Sequence, residues 1–353
     1  MSISKLNTHH IMIYKNQIIL LGALLALSTS CTSQTPKTRN ENATAYMKTI
    51  TAADLKTHLY VVASDEMEGR ETGSVGQKKA GKYLIDQYKA NKVPFPKGAT
   101  NYYQFVPASF LNAKSDVNLP DSENIWAYIE GSEKPNEVIV ISAHYDHVGI
   151  INGEIYNGAD DDGSGTVALL EIAQAFAKAK KEGNGPKRSI LFLHVTGEEH
   201  GLLGSSYYTQ NPIFPLTNTI TDINIDMIGR HDEFHNDSSN YTYLIGSDYL
   251  STDLYNICES ANKKYVNLLL DYKYNDRNDP NRFYYRSDHY NFAKNGIPSV
   301  FLFTGVHADY HQATDEVDKI EFDALEKRTQ LAFAIAWELA NRENRPVVDK
   351  SEN

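Results

Sequence analysis

The sequence predicts an α/β protein: a three-layer αβα sandwich around a mixed, mostly parallel central sheet, forming a single catalytic domain. Three observations predict it. Four short apolar, β-branched runs alternate with longer stretches of helical spacing, the pattern of strands covered by helices on both faces. Each of the four runs is followed, at once or a few residues on, by His, Asp or Glu, and open α/β sheets bind ligands beyond the carboxyl ends of their strands. The chain has 353 residues, 41% hydrophobic and 22% charged, which is ordinary for a folded protein with a large core.

In chain order, the first element reads as an export signal. Lys5 and Lys15 precede an apolar run from Ile18 to Leu27, followed by Ser28, Thr29, Ser30 and Cys31. A charged start, a short apolar core and small residues make 1–30 a secretory signal. The run is too short to span a bilayer, which takes about 20 residues. The cysteine after small residues resembles a bacterial lipoprotein signal, although Leu27 stands four residues before it where three is usual. The expectation is export and a lipid anchor on Cys31, holding the protein to a bacterial membrane on its periplasmic or cell-surface side. Plain secretion and a buried N-terminal segment are the alternatives. Residues 31–49 read as a flexible tether, 50–345 as the folded domain and 346–353 as a polar tail.

Within the domain, 51–64 has helical spacing through Leu55, Leu59 and Val62, and 75–91 does through Tyr83, Leu84 and Tyr88. The strand runs are Glu137–Ser142, Ser189–Val195, Ile220–Ile225 and Ser299–Phe303. Between them lies a helix over Thr166–Lys178, and the last helix runs over Glu321–Asn341. Segments 231–246 and 270–297, rich in Tyr, Asn and Asp, read as loops over the sheet that wall the substrate pocket. With 34 Lys+Arg against 45 Asp+Glu, the net charge is −11, which argues against nucleic acid or an anionic membrane surface as the main partner. Two cysteines, Cys31 and Cys258, exclude a disulfide scaffold, and Cys258 reads as a core thiol.

The strand ends carry the chemistry. His144 and Asp146 follow the first run, Glu198 and Glu199 the second, Asp226 the third, and His307 and His311 the fourth. A turn of small residues, Gly158–Gly165, brings Asp160, Asp161 and Asp162 to the same edge. So many carboxylates repel one another unless a cation sits among them, and imidazole with carboxylate is the donor set for zinc or a similar divalent ion. Two ions sharing one carboxylate need about four further ligands, which the sequence supplies. Asp146 is spaced to take the second N–H of a ligating His144. In the Glu198–Glu199 pair one carboxylate can hold metal while the other takes a proton from water.

These residues resemble the co-catalytic di-zinc exopeptidases of the bacterial leucyl aminopeptidase, glutamate carboxypeptidase and glutaminyl cyclase group. The resemblance covers roughly residues 50–342 and rests on His-Tyr-Asp at 144–146, the 158–165 turn, Gly-Glu-Glu at 197–199, Asp226 and the stretch 307–315. It implies two zinc ions, with Asp161 bridging, His144 and Asp226 on one, and Glu199 and His311 on the other. It implies Glu198 as general base, Tyr310 steadying the oxyanion, and an Asp161–Asp162 bond that is often cis in such enzymes. His147 and His307 are expected not to be ligands. Asp288 and His289, in Ser287-Asp288-His289, are placed by the resemblance near the pocket, in either a supporting or a purely structural role.

The expected activity is a zinc aminopeptidase acting on the N-terminal residue of peptides. The alternatives are a carboxypeptidase-type relative, for which Arg277, Arg282 and Arg286 leave room, a one-zinc glutaminyl cyclase, a non-catalytic binding relative, and another di-metal hydrolase. Peptide substrates are the only partners expected besides the lipid anchor's membrane; the preferred terminal residue and the oligomeric state are not legible.

Overall fold

The computed structural model describes residues 39–115 and 117–351. The signal, Cys31 and residues 31–38 of the expected tether lie outside the described residues.

The first helices are α1 (Arg39–Met47), α2 (Ala52–Val62) and α3 (Val75–Ala90). Residues 39–49 are therefore not a flexible tether. Ala43, Tyr46 and Met47 follow an i, i+3, i+4 spacing and are buried, which gives this otherwise polar segment one apolar face to dock. The Tyr46 hydroxyl donates to Glu182 at 2.8 Å. Thr51 and Ser74 cap α2 and α3 by accepting the main-chain N–H group three residues on, which satisfies donors the first turn leaves unpaired.

The sheet has eight strands. In chain order they are β1 (Tyr103–Val106), β2 (Ser122–Ile129), β3 (Lys134–His144), then after a small β4–β5 hairpin (Gly149–Ile151, Glu154–Tyr156), β6 (Arg188–Val195), β7 (Thr219–Ile225), β8 (Tyr241–Ile245), β9 (Leu269–Asp271) and β10 (Ser299–Phe303). Their spatial order is β1-β2-β6-β3-β7-β10-β8-β9. The four strands expected from sequence are the adjacent centre of this sheet, and all four are parallel. The flanking pairs β2–β6 and β8–β10 are antiparallel, so the sheet is mixed. The segment 231–246, expected to be loop, contains β8; its tyrosines are buried against β10, and partnership rather than apolar periodicity makes it a strand.

Side chains alternate across the sheet as strand geometry requires. Ile139, Ile141, Ile190 and Phe192 face α4 (Gly165–Lys181) and the last helix. Val138, Val140, Leu191 and Leu193 face the other way, toward Tyr208 of α5 (Leu203–Gln210) and Phe292. Helix α6 (Thr252–Ala261) joins the first layer, the short α7 (His289–Ala293) the second, and α8 (Phe322–Asn341) packs Phe333 and Trp337 on Phe176 of α4. Cys258 is a buried core thiol whose pKa is pushed up by that burial. The end of the chain is tied down where the main-chain N–H groups of Asp349 and Lys350 reach the Leu250 carbonyl. No described helix is long and apolar enough to cross a membrane.

Candidate metal centre

Parallel pairing of β3 with β6 and β7 brings His144, Glu198, Glu199 and Asp226 to one edge. β3 ends on His144 itself, Asp226 follows β7 directly and Glu198 stands three residues past β6, so all three face the crevice beyond the carboxyl ends. The 158–165 turn enters between them. Gly158 opens it at φ +53°, and a Cβ there would lie 2.2 Å from the Asp161 carbonyl and 2.5 Å from the His147 ring, so the close approach needs glycine. The Asp161–Asp162 peptide is cis.

Asp161 stands at the centre. Its Oδ1 lies 3.1 Å from His144 Nε2 and its Oδ2 lies 3.0 Å from His311 Nε2. His144 Nε2 is also 3.7 Å from Asp226, and His311 Nε2 is 3.0 Å from Glu199. Ligand atoms of His144, Asp161 and Asp226 fall within 4.8 Å of one another, as do those of His147, Asp161 and Glu199, and those of His144, Glu198 and Glu199. The five residues expected as ligands are thus brought together, with Asp161 common to both sides. Imidazole nitrogens facing carboxylates without other partners are a fitting donor set for zinc. Among the described residues near them, the buried cation Arg70 bonds carbonyl oxygens rather than these acids.

The charges are tightly interdependent. Burial opposes ionisation of Asp161, but hydrogen bonds from His144 and His311 hold it well below the usual carboxylate range. Glu199 resists burial and repulsion from Asp161 in the same way, with His147 and His311 lowering it to about 2. Burial works against protonation of His311, yet Asp161 and Glu199 raise it to about 10. A metal entering here must displace those protons. Glu198 differs: burial, reinforced by Glu199, Asp226 and Asp288, pushes its carboxyl well above its ordinary value, although His144 pulls the other way.

Asp146 departs from expectation. His144 Nδ1 meets the Asp146 main-chain carbonyl at 3.1 Å, while the carboxylate is 3.9 Å away. The carboxylate instead accepts the Glu198 N–H at 3.2 Å and the Thr72 hydroxyl at 2.9 Å. Tight turning between His144 and Asp146 puts the carbonyl nearer than the side chain. Asp160 and His307 pair with each other at 3.2 Å, and Asp160 also accepts the Gly229 N–H. Asp162 accepts N–H groups from His144, Gly165 and Met227, tying three loops together.

Three contributors were not singled out from sequence, and a fourth, His147, was named only as a histidine expected not to be a ligand. Ser287 donates to the second Asp226 oxygen at 2.7 Å; the motif around it was noted, but for its neighbours. Asp288 is buried, accepts from Ser205, and is raised to about 7 by burial, while His289 is buried against Phe301. His147 Nδ1 lies 2.7 Å from Glu199 Oε1, and its Nε2 is buried without a partner. Thr72 and Arg70 come from a loop with no readable motif. Tyr310 stacks on His311, 3.9 Å between ring centroids. Beside the acids is a cavity that Asp161, Glu198 and Asp226 line on one side. Its other walls come from Phe283 and Arg286 and from residues on and after β7 and β10. None comes from 231–246, because β8 carries that segment into the sheet.

Comparison with known proteins gives a consistent picture. The sequence pattern of Peptidase family M28 matches residues 124–336. A probable leucine aminopeptidase 2 of Aspergillus oryzae is 32% identical over 239 residues, covering 60% of this chain and 44% of the relative; the chain spans under half that relative's length. The LapA aminopeptidase of Legionella pneumophila has a similar fold, with TM-score 0.65 and 21% identity over 86% of this chain and 76% of that one. So does a glutaminyl cyclase of Porphyromonas gingivalis, with TM-score 0.62 and 18% identity over 81% and 97%.

Proposed function

We propose, starting from the fact that the chain belongs to Peptidase family M28, that it is an aminopeptidase with a two-zinc centre. The observation that carries the reading is Asp161, whose two oxygens face two histidines on opposite sides at 3.1 and 3.0 Å. His144 and Asp226 would hold one ion, and Glu199 and His311 the other. Zinc in these positions would supply Lewis acidity, polarising a scissile carbonyl and making water a stronger acid.

The protein's own groups do the rest. Glu198, held by its N–H on Asp146, takes the proton of the attacking water and returns it to the leaving amine. The Tyr310 hydroxyl, on the rim of the cavity, donates to the oxyanion. Asp146 keeps His144 in one tautomer through its carbonyl and fixes the base through its carboxylate. The carboxylate-rich edge favours a substrate carrying a protonated amine. A glutaminyl cyclase shares the fold, but the duplicated donor set around Asp161 favours two ions over the one-zinc alternative.

The test is a metal count with an activity panel. The expected result is two zincs per chain and chelator-sensitive release of N-terminal residues, with N-blocked peptides resistant. One zinc per chain, or cleavage of blocked peptides alone, refutes the reading. Export and a lipid anchor on Cys31 are part of the same proposal, supported by the 1–31 sequence pattern; mass spectrometry of the native N-terminus checks it.

A further inference from the structure

One cation at the cavity has no assigned part. Met227, Phe283, Phe301 and Phe303 give the cavity a buried apolar floor, while Arg286 is exposed at its mouth. The guanidinium lies 5.0 Å from the Phe283 ring centroid and donates to the Tyr310 hydroxyl at 3.3 Å. No carboxylate of the described residues forms an ion pair with it, whereas Arg188 has Glu137 at 2.5 Å and Arg230 has Asp309 at 3.2 Å. Arg277 and Arg282 sit instead over Tyr249 and Tyr285 and do not line the cavity. Arg286 is thus a guanidinium steadied by one ring face and one hydroxyl, on the cavity that Glu198 and Tyr310 also line, with most of its five donors available to whatever enters.

We propose that Arg286 binds a carboxylate of the substrate, so that the site selects peptides carrying a carboxylate within about one residue of the scissile bond. This rests on the aminopeptidase reading and adds the substrate class to it. The apolar floor takes the first side chain, and the fork at the mouth accepts the carboxylate in a bidentate pair. The carboxylate can come from the C-terminus of a dipeptide or from an acidic side chain.

Matched pairs on the zinc-loaded full chain separate these sources: Leu-Phe against Leu-Phe-amide for the C-terminus, Leu-Asp-amide against Leu-Asn-amide for the second side chain, and Glu-p-nitroanilide against Gln-p-nitroanilide for the first. In at least one pair kcat/KM should favour the carboxylate by about tenfold, the worth of one hydrogen bond to a charged group. Arg286→Gln should bring that ratio close to one, and Arg286→Lys should leave it between. Because both members of a pair use the same metals, base and Tyr310, the ratio is insensitive to a general loss of activity or of folded enzyme. Ratios near one in the native protein, or a preference that survives Arg286→Gln, overturn the assignment while leaving the aminopeptidase standing. Failure to cleave any member refutes the aminopeptidase, and the assignment with it.

Discussion

Arg70 offers the sharpest test of how the site is held. Its buried side chain donates to four main-chain carbonyls: Val62 at 2.9 Å, Tyr145 at 3.0 Å, Asn157 at 2.6 Å and Gly158 at 2.9 Å. Its own carbonyl accepts the His147 N–H. One side chain therefore fastens the His144–Asp146 turn and the start of the Asp161 loop to the end of α2. Arg70→Met keeps the length and removes every donor, leaving four acceptors unmet at roughly 1–3 kcal/mol each. Burying the guanidinium carries its own desolvation cost, which the variant recovers, so the lower end applies: a loss of about 4 kcal/mol. That is a large fraction of the 5–15 kcal/mol typical of a folded domain, roughly. Arg70→Lys keeps a charge but presents its donors from one atom, and should lose about 2 kcal/mol. Urea unfolding followed by circular dichroism reads both, and Lys serves if Met prevents folding. A loss below about 1 kcal/mol in either variant, with unchanged slope, would refute the reasoning.

Three further outcomes are expected. Glu198→Gln should retain both zincs by elemental analysis and lower kcat by about 10²–10⁴-fold, the range for a general base; near-native turnover removes Glu198 from that part. Ser287→Ala should weaken one zinc by about 10- to 100-fold in a chelator competition, since it frees the Asp226 oxygen that faces away from His144; an unaltered titration says the bond is incidental. His194 and His289 are both lowered to about 3 by burial, so below pH 6.5 the unfolded chain takes up protons that the folded chain refuses. Stability then falls as pH falls from 6.5 toward 3, by about 2 kcal/mol per histidine at pH 5. His194→Gln should shrink the drop between pH 7 and pH 5 by that amount in urea titrations, and an unchanged drop contradicts it.

Much of the fold was legible because its centre is built from runs that need no partner to be recognised. Glu137–Ser142 and Ser189–Val195 are apolar along their length, since helices cover both of their faces. β1, β2, β8 and β9 were missed because flanking strands owe their conformation to the neighbour they pair with, not to their own pattern alone. Helix α1 was missed because only three of its described side chains, Ala43, Tyr46 and Met47, are buried in the core. At the site, the expected ligands converge because each lies in a turn, or at or within a few residues of a strand end, whose place the sequence betrays. Ser287, Thr72 and Arg70, and the contact of His147 with Glu199, were invisible for the opposite reason. Their contacts join segments from about 50 to 90 residues apart in sequence, and nothing local marks a side chain for a distant partner. The Asp146 geometry shows the limit from the other side: two residues of separation placed it beside His144, but only the turn decided that the carbonyl arrives first.

The two halves of the cavity wall have different origins in the chain. The acids stand on rungs whose parallel pairing is fixed, His144 against Val195 and Ser142 against Asn224, and a slip of one residue would turn each of them into a helical layer. Part of the opposite wall, Phe283, Arg286 and Val306, hangs on backbone outside the sheet, where side chains can be exchanged without disturbing any ladder. A lineage could therefore change its diet by rewriting a few aromatic or basic positions there, and keep the same hydrolytic engine throughout.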